Sequence, residues 1–450
     1  MDRNLLAALY LDHINDLQRR YQPLVVAAQF DMVVIHSGSL KKRTEFDDQF
    51  FAMRAVPHFQ HWLPLAQPDC AVVLGPGNAR KLLWYQSQSY WERPAPMEFD
   101  HWQSQWEIVR IAQPEDVKDH LPAGQRIAFI GEDRARAASW GLTDDAQNPP
   151  DLVGRLDRLR VFKTPYEILC IAEANRRAAL GHDAVLDAFR NGDASELALH
   201  LRYLQATLQD DPETPYKNIV ALGKNSATLH HISYEKHAIS KDCQSLLLDA
   251  GATFQGYTSD ITRTWYKGQG ATISAFSGLV SGMEALQLRL CDKVAVGLGY
   301  EQLHEQAHVG VAAILRDIGV LKYAVADEVQ KKISTTFFPH GLGHSLGLQC
   351  HDVGCALVKP KPENPYLRNT STIEPGQVFT IEPGIYFIDF LLDEMRASDH
   401  NQAINWPLVE ALSDLGGVRI EDDLVVKNAQ DGQSAVDNLT RPHLPLGGGG

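Results

Sequence analysis

The sequence predicts an α+β protein in two domains, a smaller α/β N-terminal domain followed by a larger domain of mixed helices and strands. Three observations carry that prediction. At 450 residues the chain exceeds what one hydrophobic core usually serves. Its first part alternates helix-like and strand-like apolar patterns, whereas its last half delivers carboxylates at the ends of apolar, β-type runs. A polar, turn-rich stretch, GLTDDAQNPPD at Gly141–Asp151, is the candidate boundary region.

In chain order, Leu5, Leu6, Leu9, Ile14 and Leu17 recur at helical spacing between charges, which reads as an amphipathic surface helix rather than a secretory signal. Phe30–Gly38 is a buried strand ending in a turn, and Cys70–Gly75, Lys81–Tyr85 and Arg126–Gly131 read as further strands. KTPYEILCIAEANRRAALGHDAVLDAFR carries a proline near its start and a long 3.6-period stripe, so a substantial helix follows. IVALGKNSATLHH then leads into LLLDAG and ITRTWY, read as paired strands. Phe276–Val294 and Tyr300–Ile318 are helical; His304 and His308 lie four apart on the second, but no glutamate completes a metalloprotease signature, so they read as part of an exposed or packed face. The closing third is rich in strands and turns. The expected organisation is residues 1–158, then 159–440, then a disordered tail at 441–450.

Composition narrows the function classes. Hydrophobic content of 44% and charged content of 22% describe an ordinary globular chain. A formal net charge of −14, with no basic cluster beyond Lys41–Arg43, argues against a nucleic-acid partner. Nothing resembles a transmembrane span. The six cysteines lack CxxC spacing and read as reduced thiols of a cytoplasmic protein; Cys350, adjoining His351, is read as packing rather than catalytic.

Chemistry concentrates in five residues: Asp249 in LLLDAG, Asp260 in TSDITRT, His344 in HGLGHSLGLQCHD, Glu382 in FTIEPG and Glu421 in VRIEDD. A single acidic residue is ordinarily a solvated surface charge. A carboxylate embedded in a buried strand is costly unless paired or bound to metal, and several such strands are better explained by shared cations. The set is rich in oxygen and lacks thiolate, which favours hard or borderline ions such as Mn²⁺, with Co²⁺ or Zn²⁺ also fitting, over a structural zinc site. Four carboxylates balance two divalent ions, with a bridging hydroxide completing the charge. Such a site makes a nucleophile at neutral pH and polarises a carbonyl, which is hydrolysis.

These motifs, LLLDAG, TSDITRTW, HGLGHSLGLQCHDVG, FTIEPGIYF and GGVRIEDD in that order, resemble the pita-bread metallopeptidases, the group of methionine aminopeptidase, aminopeptidase P and prolidase. HSG, EFDDQF, HFQHWLPL and TPYKNIVAL are similar to the bacterial Xaa-Pro dipeptidases that include the organophosphorus acid anhydrolases. The resemblance covers nearly the whole chain. It implies a pita-bread catalytic domain, two metal ions held by Asp249, Asp260, His344, Glu382 and Glu421, and hydroxide attack on the carbonyl of an Xaa-Pro dipeptide. It further implies that Glu382 shuttles a proton, that His340 and His351 face the substrate as catalytic histidines, and that His230, Tyr216 and Leu367 line the substrate pocket. Arg419 is placed to brace a carboxylate ligand or meet substrate. The resemblance implies a homodimer in which Trp91 matches an N-terminal-domain tryptophan that reaches into the neighbour's active site, with Asp48 placed to meet a substrate's ammonium group. One departure stands out: bacterial prolidases carry a second arginine where LRNTS has Ser371, so only Arg368 remains to read a substrate carboxylate. The alternatives are an organophosphorus acid anhydrolase, an aminopeptidase P and a non-catalytic pita-bread binding module.

Overall fold

The computed structural model describes residues 2–77, 79–86, 90, 101–192, 194–237, 243–428 and 434–450. They form two compact units, Met1–Leu169 and Cys170–Gly450. The expected boundary at 158/159 and the turn-rich stretch at 141–151 both lie inside the first unit, because the helix Pro150–Val161 and the start of the helix Pro165–Asn191 belong to it.

The first unit opens with α1 (Arg3–Ala27), capped by the Asp2 carboxylate, which accepts from the amides of Asn4 and Leu5. Leu6, Tyr10, Ile14, Leu17, Tyr21 and Val25 recur every three to four residues and form its buried stripe. A five-stranded sheet follows: β1 (Met32–His36), β2 (Ala71–Leu74), β3 (Arg80–Tyr85), β4 (Glu107–Ile111) and β5 (Ile127–Ile130), in the order β4-β3-β2-β1-β5. β1 runs parallel to β5 and antiparallel to β2, and β3 runs parallel to β4. The short helices α2 (Pro57–Gln60) and α3 (Arg134–Ser139) and the longer α4 (Pro150–Val161) complete it. Val34, Val73, Leu83, Ile111, Phe129 and Trp140 make one core. Four strands match the sequence expectation. The fifth, β4, was not expected, because EIVRI is a polar-interrupted edge strand whose outer residues stay accessible.

The second unit takes most of α5 (Pro165–Asn191), then α6 (Glu196–Thr207). The strands β6 (Ile219–Leu222), β7 (Ser245–Asp249), β8 (Thr253–Phe254), β9 (Tyr257–Thr258) and β10 (Thr262–Tyr266) come next, followed by α7 (Ala271–Asp292), α8 (Tyr300–Asp317) and α9 (Asp327–Phe337). The closing part holds β11 (Val378–Ile381), β12 (Gly384–Tyr386), α10 (Asp389–Ala397), α11 (Trp406–Ser413), β13 (Gly417–Arg419), β14 (Asp422–Val426), β15 (Val436–Asn438) and β16 (Gly448–Gly449). One sheet runs β16-β10-β7-β6 and another β11-β14-β15, while β12 pairs with β13 and β8 with β9. α7 and α8 share a core with β11 and β13 through Phe276, Met283, Leu303, Val311, Phe379 and Val418. α9 to α11 were not expected in a stretch read as strands and turns. In α9 only Ile333, Ser334 and Phe337 are buried, too narrow a stripe to mark a helix in the sequence.

Residues 441–450, expected as a disordered tail, fold back onto the unit. Gly448 and Gly449 pair in parallel with Thr264 and Trp265. A Cβ at Gly448 would stand 2.0 Å from the Thr264 carbonyl oxygen, so only glycine permits that approach. Among the described residues, no helix is long and apolar enough to cross a membrane.

Candidate metal centre

Strand pairing brings the five predicted residues together. Asp249 ends β7 and sits opposite Thr262 of β10, which is itself bridged to Glu421. Glu421 immediately precedes β14, whose Asp422 pairs with Ile381, so Glu382 emerges beside it from β11. The His344 segment is stitched to β11: the His344 amide donates to Thr380 Oγ1 at 3.1 Å, and the Thr380 amide donates to the His344 carbonyl at 2.9 Å. Gly343 makes that close approach possible, since a Cβ there would lie 2.3 Å from the Thr380 oxygen. Asp249, Asp260, His344, Glu382 and Glu421 thus line one cleft of about 910 Å³. Ligand atoms of Asp260, His344 and Glu421 lie within 4.8 Å of one another.

The donor chemistry fits divalent cations. His344 Nδ1–H donates to the Ser345 carbonyl at 3.1 Å, which turns Nε2 toward Asp260 Oδ2 (3.4 Å) and Glu382 Oε1 (3.6 Å). Fixing the tautomer through the far nitrogen in this way is the usual support for a metal-binding imidazole. Burial raises Glu382 to about 7 and Asp249 to about 6. Burial together with Asp260, Glu382 and Asp249 raises Glu421 well above the carboxylate range. Burial opposes a charge on His344, but Asp260 and Glu382 outweigh it and lift the imidazole to about 9. Buried carboxylates crowded this closely need positive charge between them, and protons are the substitute when no cation supplies it.

Around these donors runs a hydrogen-bonded frame. Tyr216 donates between Asp249 Oδ1 (2.7 Å) and Asp260 Oδ1 (2.5 Å). Thr262 Oγ1 donates to Glu421 at 2.6 Å. Arg419 Nη2 meets Asp249 Oδ2 at 2.6 Å, while its other nitrogens donate to Thr262 and to Tyr386. The Tyr386 hydroxyl, accepting from Arg419, stands 2.9 Å from His340 Nε2. Asp423 Oδ2 accepts from the Asp260 amide and from Asn175. Tyr386, Thr262 and Asp423 were missed by sequence reasoning. Asp423 is signalled only as the third acid of IEDD, and a threonine or tyrosine in a strand carries no chemical mark of its own.

The other predicted residues divide. His230, His340, His351, Leu367 and Arg419 line the cleft. Both ring nitrogens of His340 are engaged, Nδ1 by the Gly341 carbonyl at 2.8 Å and Nε2 by Tyr386, and burial pushes its pKa down to about 3. Burial and the neighbouring His344 and Arg368 lower His351 to about 4. Tyr216 was expected to line the substrate pocket, and instead its hydroxyl is spent on two carboxylates. Arg419 was expected to brace a carboxylate ligand; it makes a single contact with Asp249, while its Nε and Nη1 turn to Thr262 and Tyr386. Ser371 is buried, with Oγ donating to Asn369 at 2.7 Å, so it is not on the cleft wall, whereas Arg368 is. Cys350 is not mere packing: Sγ stands 2.9 Å from Asp260 Oδ2. Asp48 is exposed in the first unit, and Trp91 lies outside the described residues. His231 meets the buried Glu196 at 2.7 Å, which anchors the loop bearing His230.

Comparison with known proteins agrees with this architecture. Residues 169–428 match the model for metallopeptidase family M24, and residues 8–157 match the Xaa-Pro dipeptidase N-terminal domain. The chain is 40% identical to the Xaa-Pro dipeptidase of Pseudoalteromonas haloplanktis, over 97% of this chain and 98% of that one. It is 39% identical to the Xaa-Pro dipeptidase of Pectobacterium carotovorum, with the same coverage of both. Among solved structures it superposes on Pseudomonas aeruginosa aminopeptidase PepP with a TM-score of 0.72 at 22% identity, covering 96% and 95% of the two chains. Zn-substituted Escherichia coli aminopeptidase P in complex with product gives 0.70 at 20% identity, covering 94% and 95%. Those two likenesses concern the fold. The sequence matches span both units, with the M24 match covering the strands that converge on the cleft, and on them the chain belongs to metallopeptidase family M24, within its Xaa-Pro dipeptidase branch.

Proposed function

We propose that this chain is a divalent-metal-dependent dipeptidase that cleaves Xaa-Pro bonds. The observation that carries the reading is the convergence of four carboxylates and His344 on one cleft, in a chain whose relatives are Xaa-Pro dipeptidases. Asp249, Asp260, His344, Glu382 and Glu421 hold the cations, with Asp249 and Asp260 kept at fixed spacing by Tyr216. The oxygen-rich donor set favours Mn²⁺. Bound divalent ions supply a water that is nucleophilic at neutral pH and polarise the scissile carbonyl.

The residues of the chain do the rest. Glu382, whose carboxyl sits near neutrality before cation binding, accepts the proton of the attacking water and passes it to the leaving nitrogen. His340, held by the Gly341 carbonyl and the Tyr386 hydroxyl, packs beside Glu382, while His351 and His230, accessible on the cleft wall, donate to the substrate. The leaving nitrogen of an Xaa-Pro bond is a tertiary amide without an N–H, so ring shape against Leu367 and charge at the termini must supply recognition. Arg368 on the same wall is the group for a substrate carboxylate. We further propose a cytoplasmic homodimer in which Asp48 and Trp91 meet a neighbour's substrate; the six free cysteines are in keeping with a reducing compartment.

The test is hydrolysis of Leu-Pro, Leu-Pro-Pro and a fluorophosphonate side by side with added Mn²⁺. Preference for Leu-Pro supports the reading. Preference for the tripeptide or for the fluorophosphonate replaces it with aminopeptidase P or organophosphorus acid anhydrolase activity.

A further inference from the structure

Beside Asp260 lies one donor that the oxygen-rich centre does not require. Cys350 Sγ lies 2.9 Å from Asp260 Oδ2, and the ligand atoms of His344, Cys350 and His351 lie within 4.8 Å of one another. His344 and His351 meet edge to face with ring centroids 4.3 Å apart. His344 Nε2 is 3.4 Å from the same Asp260 oxygen that faces the thiol. One sulfur and two imidazoles therefore stand close together, with the Asp260 carboxylate against the sulfur and against His344, and His344 and Asp260 also belong to the set with Glu421.

We propose that Cys350, His351, His344 and Asp260 form a second, mixed-donor site that takes a thiophilic divalent cation, Zn²⁺ or Cd²⁺, at the expense of the oxygen-rich centre. The inference rests on the metal-centre reading of the same cleft. Hard ions such as Mn²⁺ gain little from sulfur, whereas sulfur and imidazole together suit zinc. A tetrahedral zinc with Zn–S of about 2.3 Å and Zn–N of about 2.0–2.1 Å holds neighbouring ligand atoms about 3.3–3.6 Å apart. In the binding step the Cys350 S–H bond breaks, an S–metal bond forms and the proton leaves to solvent, with no change of oxidation state. A cation seated there draws His344 and Asp260 away from the carboxylate centre and occupies His351. Thiophilic ions should therefore inhibit the Mn²⁺-loaded protein instead of replacing Mn²⁺ productively.

The test uses the full chain with Cys350→Val and Cys350→Ser. Co²⁺ added to metal-free protein should give thiolate-to-cobalt charge-transfer absorption in the near ultraviolet, absent from both variants. Zn²⁺ affinity, measured against a chromophoric chelator, should fall by about tenfold or more in the variants, as even outer partners of a metal ligand are worth on the order of 10–100-fold. Cd²⁺, but not Mn²⁺, should protect Cys350 from iodoacetamide in peptide mass spectra. Absence of the charge-transfer band from the parent protein, its persistence in both variants, or equal protection by Mn²⁺ overturns the proposal. Leu-Pro hydrolysis is scored separately. The sulfur band without hydrolysis removes the dipeptidase reading and leaves the site, whereas hydrolysis without the band removes the site alone.

Discussion

On the proposed mechanism Glu382 carries two duties at once, and a single-atom change separates them from size. Replacing it by glutamine keeps the shape but removes both the proton acceptor and an anionic ligand. The Glu382→Gln protein should lose kcat by at least the 10²–10⁴-fold, roughly, that a general base contributes. Metal content measured on the same sample decides the assignment, since near-native turnover with full occupancy would remove Glu382 from the chemistry. Arg419 works differently, through Asp249. Arg419→Lys keeps the charge but cannot serve Asp249, Thr262 and Tyr386 together, because an ammonium lacks the planar fork. Metal affinity should drop on the order of 10–100-fold, seen as weaker retention on dialysis. Unchanged affinity would make Arg419 a substrate residue instead. Of these two, the place of Glu382 was readable from FTIEPG, an acid at the end of an apolar strand. The partners of Arg419 were not, since they come from β7, β10 and β12, and local sequence does not reveal which strands will be neighbours.

At the scale of elements, two junctions are most open to test. Gly343 lets the His344 segment lie against β11, and an added Cβ meets backbone oxygen at 2.3 Å and the Tyr300 hydroxyl at 2.4 Å. Gly343→Ala should destabilise the fold by about 1–3 kcal/mol, the usual cost of overpacking, and weaken metal binding together with the melting temperature. Full metal affinity in a destabilised protein would show that the stitch serves folding only. In α8, His304 and His308 are buried, ring centroids 4.7 Å apart, against Phe338. Burial lowers His304 to about 4 and His308 to about 3. The folded protein then binds fewer protons than the unfolded chain below the ordinary histidine value of 6.5. Their stabilising contribution is therefore complete above that pH and is lost as pH falls from 6.5 toward 3. His304→Leu should flatten the decline of melting temperature between neutral and acid pH, and an unaltered slope would place the acid sensitivity elsewhere. The sequence reading of this pair left an exposed or a packed helix face open, and the structure packs it.

Across the catalytic unit, the last ten residues are tied to the strand that delivers Glu421. Arg441 reaches Asp422, Glu284 and Gln287, while the buried Arg263 joins Asp422 to the Leu444 carbonyl and the Glu421 carbonyl. Arg441→Met should cost about 3 kcal/mol, the lower end for breaking a buried ion pair, because Asp422 keeps Arg263. Urea titration would show the loss as a lower midpoint, and an unchanged midpoint would return the tail to the dispensable segment that HLPLGGGG suggests. Glycine and proline there read as disorder because composition records what a segment cannot bury by itself, not what a neighbouring strand edge offers it. By itself the sequence determined the candidate donors, their order and most of the helices and strands, because helical and strand periodicity, apolar runs and acids set at strand ends are properties of the chain alone. Only the tertiary structure decided which donors meet. It gave the Tyr216 hydroxyl to Asp249 and Asp260, turned Ser371 inward to Asn369, and set Cys350 beside Asp260. Each of those outcomes is fixed by strand register and by which buried polar group is left to satisfy another, and such long-range pairings leave no periodic mark in the sequence.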